Sequence, residues 1–226
     1  MGKTILIASG KGGTGKSVVA SNLGAVLAME GYSVVLIDMD MGMRNLDLYM
    51  GLENRAVYNS CDVLNGVCRI KQALIKDKRF DSLYLMAASP ERLCENVTPL
   101  HMKVLCDKLR EKFDYIIIDA PAGIDDGLVL ASAGADIAVI VTVPEFAAVR
   151  DAQTVSTMLS RIGVEKRMYL LNNVKANLLG HGVFPSVAEI DEMLNLDPAG
   201  IIQADENIHI AANNGLPIVY REGTYI

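Results

Sequence analysis

A doubly wound α/β fold, a mostly parallel sheet with helices on both faces, is predicted by three observations. Apolar runs alternate with helix-period segments along the chain. Several runs are apolar at every position, as strands buried on both faces require. The first run leads directly into a glycine-rich turn, Gly10 to Ser17, that reads G-x-x-x-x-G-K-[ST].

In order, strands are expected at Thr4–Ala8, Ser33–Ile37, Leu83–Ala88, Tyr115–Ile118, Ile137–Val143 and Arg167–Leu171. Helices are expected at Lys16–Met29, Thr98–Glu111, Asp126–Ala133, Ala147–Arg161, Val187–Leu194 and Glu206–Asn213. The first helix should bury Val19, Leu23 and Val26 on one face. No linker, repeat or low-complexity stretch divides the chain, so residues 1–226 are expected to form one domain. Ligands in such folds bind at the carboxyl ends of the strands, so the residues after each strand carry the interest.

With 51% apolar residues among 226, a sizeable core is expected. Net charge is −6 and Trp is absent, which disfavours general nucleic-acid binding and a base-stacking platform. The runs Lys76-Asp77-Lys78-Arg79 and Lys108-Leu109-Arg110-Glu111-Lys112 are mixed in sign and read as solvated surface. Cys61, Cys68, Cys94 and Cys106 form no CxxC pair, and reduced cytosolic thiols are the simplest reading. The start shows no signal peptide, Leu6 breaks the myristoylation pattern, and no stretch approaches the ~20 apolar residues of a membrane span. A cytoplasmic location is expected.

The glycine turn carries the chemistry. Gly10, Gly12, Gly13 and Gly15 let the backbone aim N–H groups at phosphate oxygens. The helix from Lys16 presents its positive end to the same anion, with Thr14 and Val18 beside it. Lys16 supplies charge for the β and γ phosphates, and the Ser17 hydroxyl can ligate Mg²⁺. Asp119 ends the apolar run Ile116-Ile117-Ile118 and suits the Mg²⁺ shell. Asp38 and Asp40 follow the second strand. Asp40 is placed to orient a water for attack on the γ phosphate, Asp38 to line the Mg²⁺ shell or to hydrogen-bond the P-loop. Lys11, a second lysine within the loop, points either to solvent or to a phosphate across a dimer interface. The Met and Leu residues between 39 and 50 read equally as a partner surface or as packing beneath that segment.

These residues resemble the MinD/ParA ATPases. Lys11 to Ser17 looks like their deviant Walker A motif, with Lys11 as the signature lysine. Asp38 to Asp47 looks like switch I, and Ala73–Arg79, Asp119–Gly123 and Pro144–Ala152 are similar to further segments of the MinD type. The resemblance implies an Mg²⁺-dependent ATPase cycling between ATP and ADP, with a homodimer in the ATP state. In it Lys11 would contact the partner's phosphates, Asp40 would position the water, Asp119 and Gly123 would form switch II, and Asn172 would read adenine. It further implies septum-site placement, an activator resembling MinE, a division inhibitor, and attachment to the inner face of the cell membrane through a C-terminal amphipathic tail. Nothing before Ile226 resembles that tail. Asn173 and Gln203 stand where relatives commonly carry Arg and Pro. The rival readings are a related ATPase placing flagella, pili or DNA, a metallocluster relative, which needs cysteines near the dimer axis, and a solitary P-loop kinase of a small molecule.

Overall fold

The computed structural model describes residues 2–91, 94–175, 177 and 183–220. Residues 221–226, in which no tail-like segment is expected, lie outside the described residues. One eight-stranded sheet organises the chain: β1 (Lys3–Ala8), β2 (Val34–Asp38), β3 (Leu74–Lys76), β4 (Leu83–Met86), β5 (Tyr115–Asp119), β6 (Ile137–Thr142), β7 (Lys166–Val174) and β8 (Asp197–Gln203). The spatial order is β3-β4-β2-β5-β1-β6-β7-β8, and only β3 runs antiparallel to its neighbour. All six strands expected from the sequence are present.

The apolar runs are buried on both faces, and alternate residues divide between two cores. Val35, Ile37, Ile116 and Ile118 join one core; Val34, Leu36 and Ile117 join the other. Helices α5 (Pro99–Leu109), α6 (Asp126–Ser132), α7 (Phe146–Arg161) and α8 (Val187–Leu194) cover the first through Leu105, Leu128, Val155 and Ile190. Helix α1 (Lys16–Met29) covers the second. Its buried side is built from small residues, Ala20, Gly24 and Ala25 beside Val19, while Val26 is exposed, contrary to expectation. Gly24 is needed there because a Cβ would lie 2.7 Å from Leu36.

Short elements escaped the periodicity. Helices α2 (Leu46–Tyr49), α3 (Ser60–Leu64) and α4 (Ile70–Ala73) span about one turn each, too short to show a 3.6-residue repeat. Strand β8 contains Asp197-Pro198-Ala199-Gly200, a turn-like string, which an edge strand can accommodate. The last helix, α9 (Glu206–Asn213), follows it and leads to a 3-10 turn at Ile218–Tyr220.

Two further expectations are corrected. Cys61 and Cys94 form a disulfide with Cα atoms 5.6 Å apart, while Cys68 and Cys106 are free. The pairing of β2 with β4 brings the loop after β4 against α3, which no spacing between the cysteines reveals. The two mixed-sign runs are not simply solvated. Asp77 is buried and ion-paired to Arg79, and Arg110 donates to Asp107, to the Gly134 carbonyl and to Asp136.

Candidate functional site

The loop after β1 and the ends of β2 and β5 converge at the carboxyl edge of the sheet. Pairing sets Asp38 directly beside Asp119, and Ile7 of β1 also faces Asp119. Gly15 starts α1 with φ of +91°, a left-handed conformation costly for other residues. Gly10 answers a different need: a Cβ there would lie 2.5 Å from the Asp151 backbone on α7. Gly12 and Gly13 have open space where a Cβ would stand, on the side facing solvent.

Lys16 lies beneath this loop, nearly buried. Its Nζ is 3.0 Å from Asp119 Oδ1 and 3.9 Å from Asp40 Oδ2. Burial raises the Asp119 carboxyl above its ordinary range, and the Lys16 ammonium and the Ser17 hydroxyl facing it pull the other way. Asp119 Oδ2 and Thr14 Oγ1 are buried without a hydrogen-bond partner among the described residues. A hydroxyl and an unpartnered carboxylate oxygen, both hard oxygen donors, fit Mg²⁺. The open surface of Gly12 and Gly13 fits phosphate. Ser17 and Asp119 would hold the ion, which when bound would offset phosphate charge.

Asp38, expected in the Mg²⁺ shell, is engaged elsewhere. Its Oδ1 accepts from the Asp40 backbone N–H at 2.9 Å and its Oδ2 from the Leu46 N–H at 3.2 Å. Burial, then the neighbouring Asp119 charge, pushes its carboxyl up to about 7. It therefore shapes the turn that carries Asp40. Asp40 lines the phosphate mouth, a cavity of about 170 Å³, with Met43, Asn45 and Tyr49 opposite the P-loop and Val18.

Lys11 stands at the rim. It is half-exposed and 3.7 Å from Glu145 at the start of α7. Met43, Ile124 and Phe146 nearby expose 62%, 46% and 47% of their surface, whereas Met39, Leu46 and Met50 are buried. The apolar residues between 39 and 50 thus divide between packing and a free face. Gly123 donates its N–H to the Ser9 carbonyl, joining the segment after Asp119 to the P-loop.

Asn172 lines a small adjoining pocket with Gly13, Val18, Asn173, Gln203, Asp205, Ile208 and His209. Its Nδ2 donates to the Thr14 carbonyl at 2.8 Å, so it braces the P-loop as well as facing the pocket. Sequence reasoning overlooked Ser9, Asn45, Tyr49, Asp205 and His209. Only Asn45 and Tyr49 carried a signal, their place in the segment after Asp40.

The chain matches the ParA family, described as NUBPL iron-transfer P-loop NTPase, over residues 1–223. It is 44% identical over 220 residues to the septum site-determining protein MinD of Bacillus subtilis, covering 96% of this chain and 82% of that protein. Its fold is similar to the MinC:MinD cell division protein complex of Aquifex aeolicus, with a TM-score of 0.88 and 37% identity, covering 96% of this chain and 88% of that one. It is also similar to the septum site-determining protein MinD of Pyrococcus horikoshii complexed with Mg-ADP, with a TM-score of 0.84 and 27% identity, covering 98% and 89%.

Proposed function

Because the chain belongs to the MinD branch of the ParA family of P-loop ATPases, with Mg²⁺-dependent ATP hydrolysis in septum-site placement as its activity, we propose that it works as a nucleotide-controlled dimerising switch. The observation that carries this reading is the pairing of a buried Lys16 with Asp119 and Asp40 beneath an open glycine loop, with a second lysine, Lys11, at the rim.

The residues divide the work. Lys16 has three donors and two carboxylate neighbours, so phosphate oxygens can replace a carboxylate as its partner without leaving the charge bare. Asp40, released from Lys16 in that exchange, orients a water towards the γ phosphate. Lys11 exchanges Glu145 for a phosphate of the facing subunit. Met43, Ile124 and Phe146 supply apolar area around the rim for a second copy to bury. Asn172 and the α9 side chains contact the base.

The partners follow the same logic. A relative is described in complex with MinC, and a division inhibitor of that kind is the proposed partner of the ATP dimer. An activator resembling MinE would complete the hydrolytic site. No helix among the described residues is long and apolar enough to cross a membrane, and peripheral attachment at the cytoplasmic face is proposed for the dimer.

The test is the solution mass of Asp40→Ala by light scattering. With ATP and Mg²⁺ the mass should double, and with ADP it should not. A single-subunit mass in both, with ATP demonstrably bound, would defeat the switch.

A further inference from the structure

Arg79 lies in the loop between β3 and β4, away from the phosphate mouth. All three of its nitrogens are used. Nε and Nη2 donate to the buried Asp77 carboxylate, Nη1 donates to the Gly215 carbonyl at 2.9 Å, and Nη2 also donates to the Met50 carbonyl. The guanidinium is 5.9 Å from each of the Phe80 and Tyr220 ring centres, and those rings meet edge to face. So costly a burial of charge is retained where a planar fork must hold several acceptors at once.

Its two carbonyl partners end the two walls of the nucleotide cleft. Met50 caps the C-terminus of α2; Asn45 at its N-cap and Tyr49 at its last position line the phosphate mouth. Gly215 follows α9, whose first turns place Ile208 and His209 in the adjoining pocket. The walls touch directly behind the site. A Cβ on Gly51 would lie 2.8 Å from the Gly215 carbonyl, and a Cβ on Gly215 would lie 2.7 Å from the Gly51 Cα. Both glycines have positive φ, +57° and +66°.

We propose that Arg79 is a positioning residue of the nucleotide site, bracing the switch I helix against the base-side helix from behind. The brace rests on the ATPase reading but adds a residue that touches neither nucleotide nor metal. It sets where Asp40, Asn45 and Tyr49 stand relative to the P-loop, which is anchored separately on β1 and α1.

Arg79→Lys keeps the charge facing Asp77 but cannot span both carbonyls. In this variant kcat for ATP hydrolysis should fall about tenfold and KM for ATP should rise, because a shift of about 1 Å in the walls misplaces the water-orienting group. Affinity for inorganic tripolyphosphate, which needs only the P-loop, should stay at the wild-type value. Steady-state constants and tripolyphosphate titration read both. Wild-type kcat and KM in a folded Arg79→Lys would overturn the brace, as would loss of tripolyphosphate binding in step with ATP. A wild-type chain that does not hydrolyse ATP would instead overturn the underlying activity. Should the variant not fold, hydrogen exchange on the wild-type protein decides the matter. Mg-ATP should protect peptides covering 46–52 and 211–217 together; protection of only one would overturn the brace.

Discussion

At the scale of single residues, charge balance governs the site. Asp40 and Asp119 share one buried cation, Lys16, and Asp38 stands beside Asp119 on the neighbouring strand. Burial disfavours the ionised form of Asp38 and raises its carboxyl from 3.8 to about 7. The sign follows from linkage. Between those values the folded protein retains a proton that the unfolded chain has lost, so this contribution to stability is complete below about pH 4 and declines as the pH rises towards 7. The slope is at most about 1.4 kcal/mol per pH unit for one proton. Urea denaturation without Mg²⁺ or nucleotide should therefore show the wild type losing stability between about pH 5 and pH 7, the upper part of that interval, and Asp38→Asn losing less. An identical decline in both would assign the titration to another group.

At the scale of elements, the segment from Asp38 to Tyr49 is held from several sides. Asp38 fastens the turn through the Asp40 and Leu46 N–H groups, Gly42 donates to the Ser89 carbonyl, and Ser60 on α3 donates to the Asp38 carbonyl. Ser89 belongs to the loop after β4, and the Cys61–Cys94 disulfide closes that loop onto α3. The bridge encloses a separation of 33 residues, for which loop closure gives about 3.7 kcal/mol of stability. Cys61→Ser should lower the unfolding free energy by about that amount, measured by denaturant titration. Alkylation in denaturant without reductant should label only Cys68 and Cys106, with all four thiols reacting after reduction. Four labels without reductant would remove the bridge.

At the scale of the molecule, the open edge of the site is the informative surface. Met43 lines the shallow mouth, Ile124 follows the segment that Ala122 brings to it, and Phe146 follows Glu145, the ion-pair partner of Lys11; all four side chains, Lys11 included, are exposed. A group that lies half-exposed beside Glu145 contributes little to ATP binding in its own subunit, since an exposed ion pair is weak. Lys11→Ala should therefore change the Kd for Mg-ATP by less than about threefold. It should also abolish the ATP-dependent doubling of mass by light scattering. Retained doubling would remove Lys11 from the interface.

The fold class, the six principal strands and the phosphate site were legible in the sequence because each depends on local rules. Apolar runs make buried strands, glycines make the turn, and Lys16, Ser17, Asp40 and Asp119 occupy positions fixed by the ends of strands and the start of a helix. Other features were decided only by the tertiary structure. Asp38 turned from a metal-facing carboxylate into a backbone fastener, and Arg79 from a solvated residue into a largely covered brace paired with the buried Asp77. Cys61 met Cys94, and the start of α9, with Asp205 and His209, met the P-loop. Asp38 is held by N–H groups only two and eight residues on, in a turn that no apolar period marks. The other three share one physical reason: each depends on segments far apart in the chain brought together by the fold, and neither residue type nor spacing encodes which carbonyl, thiol or loop the folded sheet sets opposite.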